Sequence, residues 1–236
     1  MSLRVVQSMC VAMVFSMVLL SLGIALSLPL YILLKVLQIT EFWPLFGRAV
    51  VLAFTSGFGF CFFGFNLFLT VGLMNYVFNF RLVEGNFRYS DVPAMKWFFH
   101  NALMLLVRTL FMDFMLLTPS SNVFYTMMGA KLGKNVHINS KLVADLSLLE
   151  IGDNSIIGGN ATVIGHVFED YCLKLKKIKI GKNVTIGLNS VIMPGCEIGD
   201  GAIIAAGAVL VKDTIVPPGD IFVGIPAESI KNKKIV

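Results

Sequence analysis

From Ile180 to Val216 an apolar residue returns at every sixth position: Ile180, Ile186, Ile192, Ile198, Ile204, Leu210 and Val216. At about 100° per residue, sixth neighbours on an α-helix stand roughly 240° apart around the axis, so this column is not a helical face. Read as short strands, each key residue shares its side with the residue two before it. Those positions hold Val184, Ser190, Cys196, Ala202, Ala208 and Thr214, all small or compact. Two inward columns follow. The intervening residues, as in Gly181-Lys182-Asn183, Pro194-Gly195 and Gly199-Asp200-Gly201, suit tight corners that need φ > 0 or short hydrogen-bonding side chains. The pattern predicts a solenoid with six-residue sides.

The same step begins near Gly129 with Leu132-Gly133 and Ile138-Asn139, slips between Leu142 and Leu149, and resumes at Ile151, Ile157 and Val163. It is then interrupted from Gly165 to Lys177. An insertion in a solenoid usually marks one face, often the binding face. Upstream the pattern is of another kind. Val5 to Leu34 carries no charge and is long enough to span a bilayer, but too long for the apolar core of a signal peptide. A connector with Lys35, Glu41, Trp43, Pro44 and Arg48 leads to a second uncharged run, Ala49 to Phe80, whose Gly57, Gly59, Gly64 and Gly72 would admit a neighbouring helix closely. From Ala94 to Leu117, Lys96, His100 and Arg108 fall on one helical arc of roughly 120°, as if to meet headgroups while Trp97 and Phe98 dip into the acyl region. Asp113 lies off that arc and calls for a partner in the protein. The expected organisation is two transmembrane helices in 1–80, an interfacial amphipathic helix and linker in 81–128, and the solenoid in 129–236.

Composition agrees with a divided chain. Of 236 residues 56% are hydrophobic and only 14% charged, and the apolar ones concentrate before about residue 125. The net charge of +5 comes with no basic cluster interleaved with aromatics, which argues against nucleic acid as a partner. Arg4, Arg81, Arg88 and Lys96 against Lys35 and Arg48 lean towards both termini being cytoplasmic. The four cysteines, Cys10, Cys61, Cys172 and Cys196, show no CxxC spacing and read as reduced thiols.

The repeats, together with the closing Val223-Gly224-Ile225-Pro226-Ala227, resemble the hexapeptide-repeat acyltransferases. The expected fold is therefore the transmembrane α-helices read from the apolar runs, followed by an all-β parallel β-helix whose left-handed sense the resemblance implies. The resemblance also implies a homotrimer whose donor thioester lies between subunits. A closer likeness runs through Met128-Gly129-Ala130-Lys131-Leu132-Gly133-Lys134-Asn135-Val136 and His166-Val167-Phe168-Glu169-Asp170. It is to the membrane-embedded terminal module of poly-lysine-synthetase-type peptide synthetases and stand-alone relatives. There the donor is a carrier protein's phosphopantetheine thioester and an amine can accept. Since this chain shows no adenylation or carrier segment, its donor is expected to be acyl-coenzyme A or a separate carrier protein. No metal is expected.

Within the insertion His166 is the residue suited to general base work near neutral pH, although an exposed loop histidine would look the same. In the sugar acetyltransferases of the family a Gly-His pair at the start of such a loop supplies the base, and Gly165-His166 matches it. Glu169 and Asp170 are candidates to orient the imidazole, or else solvated loop acids. His137, between inward Val136 and Ile138, should face outward, and His100 is expected at headgroups. The resemblance makes Ala205, Ala206, Gly207 and Ala208 candidate walls for the pantetheine arm. It also makes Lys212 and the tail Lys231, Lys233 and Lys234 candidate phosphate contacts. Many soluble members carry Trp where this chain has Asn183-Val184-Thr185-Ile186-Gly187, so one of their contacts is in doubt. The resulting expectation is a membrane-bound, cytoplasmically facing acyltransferase acting on a hydroxyl or amine, with membrane lipid as a partner. The alternative is a catalytically silent trimeric membrane scaffold. A zinc carbonic anhydrase on the same prism would need three converging histidines, and one of the three present, His100, lies in the membrane half.

Overall fold

The computed structural model describes residues 3–230, with side chains from Val11 onward. The chain forms two compact units, Met1–Met74 and Asn75–Val236.

The first unit is a helical pair, α1 (Leu3–Ile39) and most of α2 (Leu45–Val77). Val11–Ile39 and Leu45–Val77, 29 and 33 residues, are long and apolar enough to cross a membrane. Both helices run beyond the uncharged stretches, taking in Lys35 and Arg48, because straight-chain charged residues are good helix formers and nothing breaks the helix until the turn before Pro44. Ser21 is buried and donates to the Met17 carbonyl (2.8 Å) and the Met74 sulfur (3.1 Å). Of the four glycines expected to admit a neighbouring helix, Gly64 and Gly72 are buried, whereas Gly57 and Gly59 are not. A Cβ on Gly57 would meet nothing within 4 Å, and one on Gly59 would stand 3.8 Å from Pro29, an ordinary contact.

The second unit is built on the six-residue coil. Strand pairs register in parallel in three sheets, so that Thr185-Ile186, Val191-Ile192 and Glu197-Ile198 lie on successive sides. Glu197 follows its register partner Lys179 by 18 residues, three sides of six. Both inward columns are buried as expected, except that Thr214 is only half-buried. At the corners Asn183, Asn189, Gly195, Gly201, Gly207, Asp213 and Gly219, again six apart, all have positive φ, from 54° at Asn183 to 82° at Gly195. Residue types with little or no Cβ penalty therefore set the turns. Coil-to-coil contact is close, because a Cβ on Gly187 would lie 2.4 Å from the Ala206 backbone nitrogen.

Two departures from the 18-residue period shape everything else. Glu150 follows its partner Lys131 by 19 residues. That slip is absorbed in a 3-10 turn, Leu146–Leu148, led by Asp145 in the left-handed conformation (φ 54°). Val184 follows Ser155, whose hydroxyl it contacts, by 29 residues. The surplus folds into an antiparallel hairpin, His166–Glu169 against Cys172–Leu175, reversing at Asp170 and Tyr171, which both have positive φ as a type I′ turn requires. The strand Gly85–Arg88 adds to the hairpin's outer edge, pairing Gly85 with Leu175 and Arg88 with Cys172.

Helix α3 (Val92–Leu110) covers this side sheet. Trp97 packs with Leu82, Ala94, Leu148, Leu173 and Leu175. This corrects the expected orientation: His100 is fully buried, so it meets no headgroup, and Trp97 faces the protein. Periodicity found the helix, but burial of the indole chose its inner side. The helix also stops short, since Phe111 leaves helical geometry before α4 (Met112–Met115) and α5 (Pro119–Met127). Asp113 finds its partner in Lys141, at 2.6 Å.

Candidate functional site

The slip and the insertion meet at one point. Asp145 Oδ2 lies 2.5 Å from His166 Nδ1 and accepts the Gly165 N–H at 2.9 Å. Asp145 Oδ1 accepts from Trp97 Nε1 at 2.7 Å and Asn101 Nδ2 at 3.2 Å. A glycine before the histidine eases this approach. A Cβ on Gly165 would come within 3.1 Å of the Lys176 carbonyl and 3.2 Å of the Asp145 side chain. The carboxylate is buried, which by itself pushes its pKa up. The hydrogen bond and charge of His166, the Asn101 amide and the charge of His100 outweigh this and bring it below the ordinary carboxylate value.

A neutral imidazole bonded through Nδ1 to a carboxylate carries its proton there. That leaves the Nε2 lone pair free to accept a proton, with no hydrogen-bond partner among the described residues. The His166 side chain is 21% exposed, so it reaches solvent while its partner does not. Aromatic rings surround it: Trp97 stands edge-on with centroids 4.7 Å apart, Phe168 is 5.9 Å away, and Tyr89 touches Phe168 at 5.8 Å.

The acidic candidates inside the insertion do something else. Glu169 is held by Lys212 and by Lys174 (3.2 Å), and Asp170 by Lys174 (2.7 Å). The Lys212 contact first, then that of Lys174, lowers the Glu169 pKa. Neither acid bonds the imidazole, which takes its carboxylate from the preceding coil. Lys212, expected at a phosphate, ties the hairpin to a coil corner. Lys176 adds a second tie through Asp213 at 2.6 Å. Of the donor-wall candidates, Ala206 and Gly207 are exposed and Ala205 half-buried, whereas Ala208 is fully buried in the inward column and offers no wall. Lys231, Lys233 and Lys234 lie outside the described residues. His137 is exposed on the coil, as expected. His100 bonds Asn75 Oδ1 through Nδ1 at 3.1 Å, and burial lowers its pKa to about 4, with the Asp145 charge opposing. Cys172 is half-buried in the hairpin, and burial pushes the Cys196 thiol up. No three His, Cys, Asp or Glu side chains among the described residues gather to hold a metal ion.

Asp145 is the residue that sequence reasoning missed. Its signal was the slip itself, with one acid set in the apolar run Leu142-Val143-Ala144-Asp145-Leu146.

A parallel coil of six-residue sides, carrying a hairpin that seats a histidine on a buried carboxylate, defines a hexapeptide-repeat transferase scaffold. Residues 177–212 match the bacterial transferase hexapeptide model (six repeats) and residues 149–172 the hexapeptide repeat of succinyl-transferase. The coil of this chain belongs to the hexapeptide-repeat acyltransferase family, and the left-handed sense goes with that membership. It is 35% identical over 115 residues to YvoF of Bacillus subtilis (strain 168), a protein carrying an acetyltransferase name, covering 48% of this chain and 66% of that one. It is 22% identical over 117 residues to the delta-poly-L-ornithine synthetase of Acinetobacter baumannii (strain AB307-0294), 50% of this chain and 9% of the synthetase. A solved galactoside acetyltransferase in complex with coenzyme A is 25% identical with a TM-score of 0.42, covering 62% of this chain and 86% of that one. The chain thus spans just under two thirds of the length of YvoF and a small part of the synthetase.

Proposed function

We propose that this protein is a membrane-anchored acyltransferase. It moves an acyl group, acetyl by analogy with its named relative, from a thioester of coenzyme A or of a carrier protein's phosphopantetheine to a hydroxyl or amine. The observation that carries this is the Asp145–His166 pair with Nε2 left open. His166 Nε2 takes the acceptor's proton as its oxygen or nitrogen attacks the thioester carbonyl, and backbone amides steady the oxyanion. When the carbon–sulfur bond breaks, the proton passes from Nε2 to the departing thiolate, giving a free thiol and an ester or amide. Asp145 holds the imidazole in the tautomer this needs and balances the imidazolium that forms. Glu169 and Asp170 are assigned to holding the hairpin. Ala205, Ala206 and Gly207 would line the donor's path between subunits of a homotrimer. The two apolar helices would anchor the chain in lipid, with the coil on the cytoplasmic side by the positive-inside tally. The exposed Phe98, Leu105 and Phe114 would rest on the bilayer surface.

The test is thiol release from acetyl-coenzyme A, and separately from an acetylated carrier protein, by membranes containing the full chain with a lipid and sugar extract as acceptor. His166→Ala should lower release by about 100-fold or more, as expected for loss of a general base, and Asp145→Asn by a similar factor. Equal release from wild type and His166→Ala would remove His166 as the base.

A further inference from the structure

The insertion supplies only half of the hydrogen bonds on Asp145. Gly165 and His166 occupy Oδ2, while Oδ1 points away from the hairpin and is met by α3. A carboxylate held by one oxygen can still turn about its Cβ–Cγ bond, and donors on the other oxygen fix its plane. Trp97 and Asn101 are one helical turn apart and therefore share a face. The Asn101 amide also donates to the Trp97 carbonyl at 3.1 Å, which settles which end of that amide faces the aspartate. The Trp97 ring meanwhile stands edge-on to the imidazole at 63°, restricting its rotation. One residue thus restrains both members of the pair. α3 lies outside the residues matched to the repeat models.

Resting on the acyl-transfer reading above, we infer that Trp97 and Asn101 are positioning residues for acyl transfer, so that α3 is part of the catalytic apparatus. Both act through Asp145 and His166. Trp97→Phe keeps an aromatic ring on α3 and removes the N–H donor together with part of the indole's packing, which is why the proton signal is read beside kcat. Asn101→Ala removes the second donor at a half-buried position.

The experiment uses the full chain in detergent. It reads kcat and KM for acetyl-coenzyme A, together with the far-downfield proton signal of His166 Nδ1–H, identified by its disappearance in His166→Ala. Trp97→Phe should lower kcat about tenfold, the equivalent of one charge-assisted hydrogen bond, leave the donor KM within about twofold, and shift the Nδ1 proton signal. Asn101→Ala should do the same to a smaller extent. Wild-type kcat in both variants would overturn the inference. So would a loss of kcat with an unmoved proton signal, because a merely structural role lowers activity without altering the hydrogen bond. Full turnover in His166→Ala would remove His166 as the base, and no turnover in the wild type would sink the acyl-transfer reading; in either case the proton signal would still decide whether α3 positions the pair.

Discussion

The two units use the same kinds of residue in opposite senses. On α1 Leu19 is 66% exposed, whereas in the coil Ile192 is fully buried. An apolar share of 56% is therefore two populations, one turned outward along two helices and one stacked inside a coil. Apolar residues drive burial without saying against what. Lipid and protein core are both acceptable, and the periodicity of each segment decides which geometry is open to it.

Placing a carboxylate in each population should separate them most strongly. Ile192→Asp puts an unpaired charge in the inward column and should abolish folding of the coil, read as loss of its β circular dichroism. Leu19→Asp should leave the coil intact while impairing integration of α1 into membranes, by about 3 kcal/mol on an insertion scale. Equal behaviour of Leu19→Asp in membranes and in water would break the comparison, because α1 would then face neither lipid nor core.

A smaller effect concerns His100, the buried histidine of the second unit. In the folded chain it takes up a proton only near pH 4, against an ordinary value of 6.5. Between those values the unfolded chain binds more protons, so stability falls as pH drops from about 6.5 to about 4 and the slope vanishes below. The loss attributable to His100 is about 3 kcal/mol. Denaturant melts of wild type and His100→Gln across this window should show a shallower slope in the variant. The smallest effect is expected on the coil surface. Lys131→Ala breaks an ion pair with Glu150 in which the lysine is mostly exposed, and should move stability by under about 0.5 kcal/mol. A larger shift would mean that this face is covered in the working assembly.

Much of the fold was legible because a solenoid writes its geometry into a fixed step. The column Ile180 to Val216 is buried throughout, and the corner residues at 183 to 219 have the positive φ their types favour. The histidine was legible too, as a Gly-His pair at a broken repeat. The strand Gly85–Arg88 was not, since Gly-Asn-Phe-Arg has no strand pattern of its own and extends only because the hairpin offers an open edge. Nor was the partner of His166. Glu169 and Asp170 were near in sequence, but Glu169 lies an odd number of residues along the strand from His166 and so on its other face, Asp170 sits in the turn, and lysines from the hairpin and coil claimed both acids.

By itself, then, the sequence determined the coil, its corners, the two apolar helices and the place of the insertion, because each follows from local periodicity and backbone preference. Tertiary structure alone decided that Trp97, Asn101 and His166 converge on Asp145. Those residues are 21 and more positions from it in the chain, and only the folding of α3 over the hairpin, driven by burial of the indole, brings their hydrogen-bonding groups to one buried carboxylate.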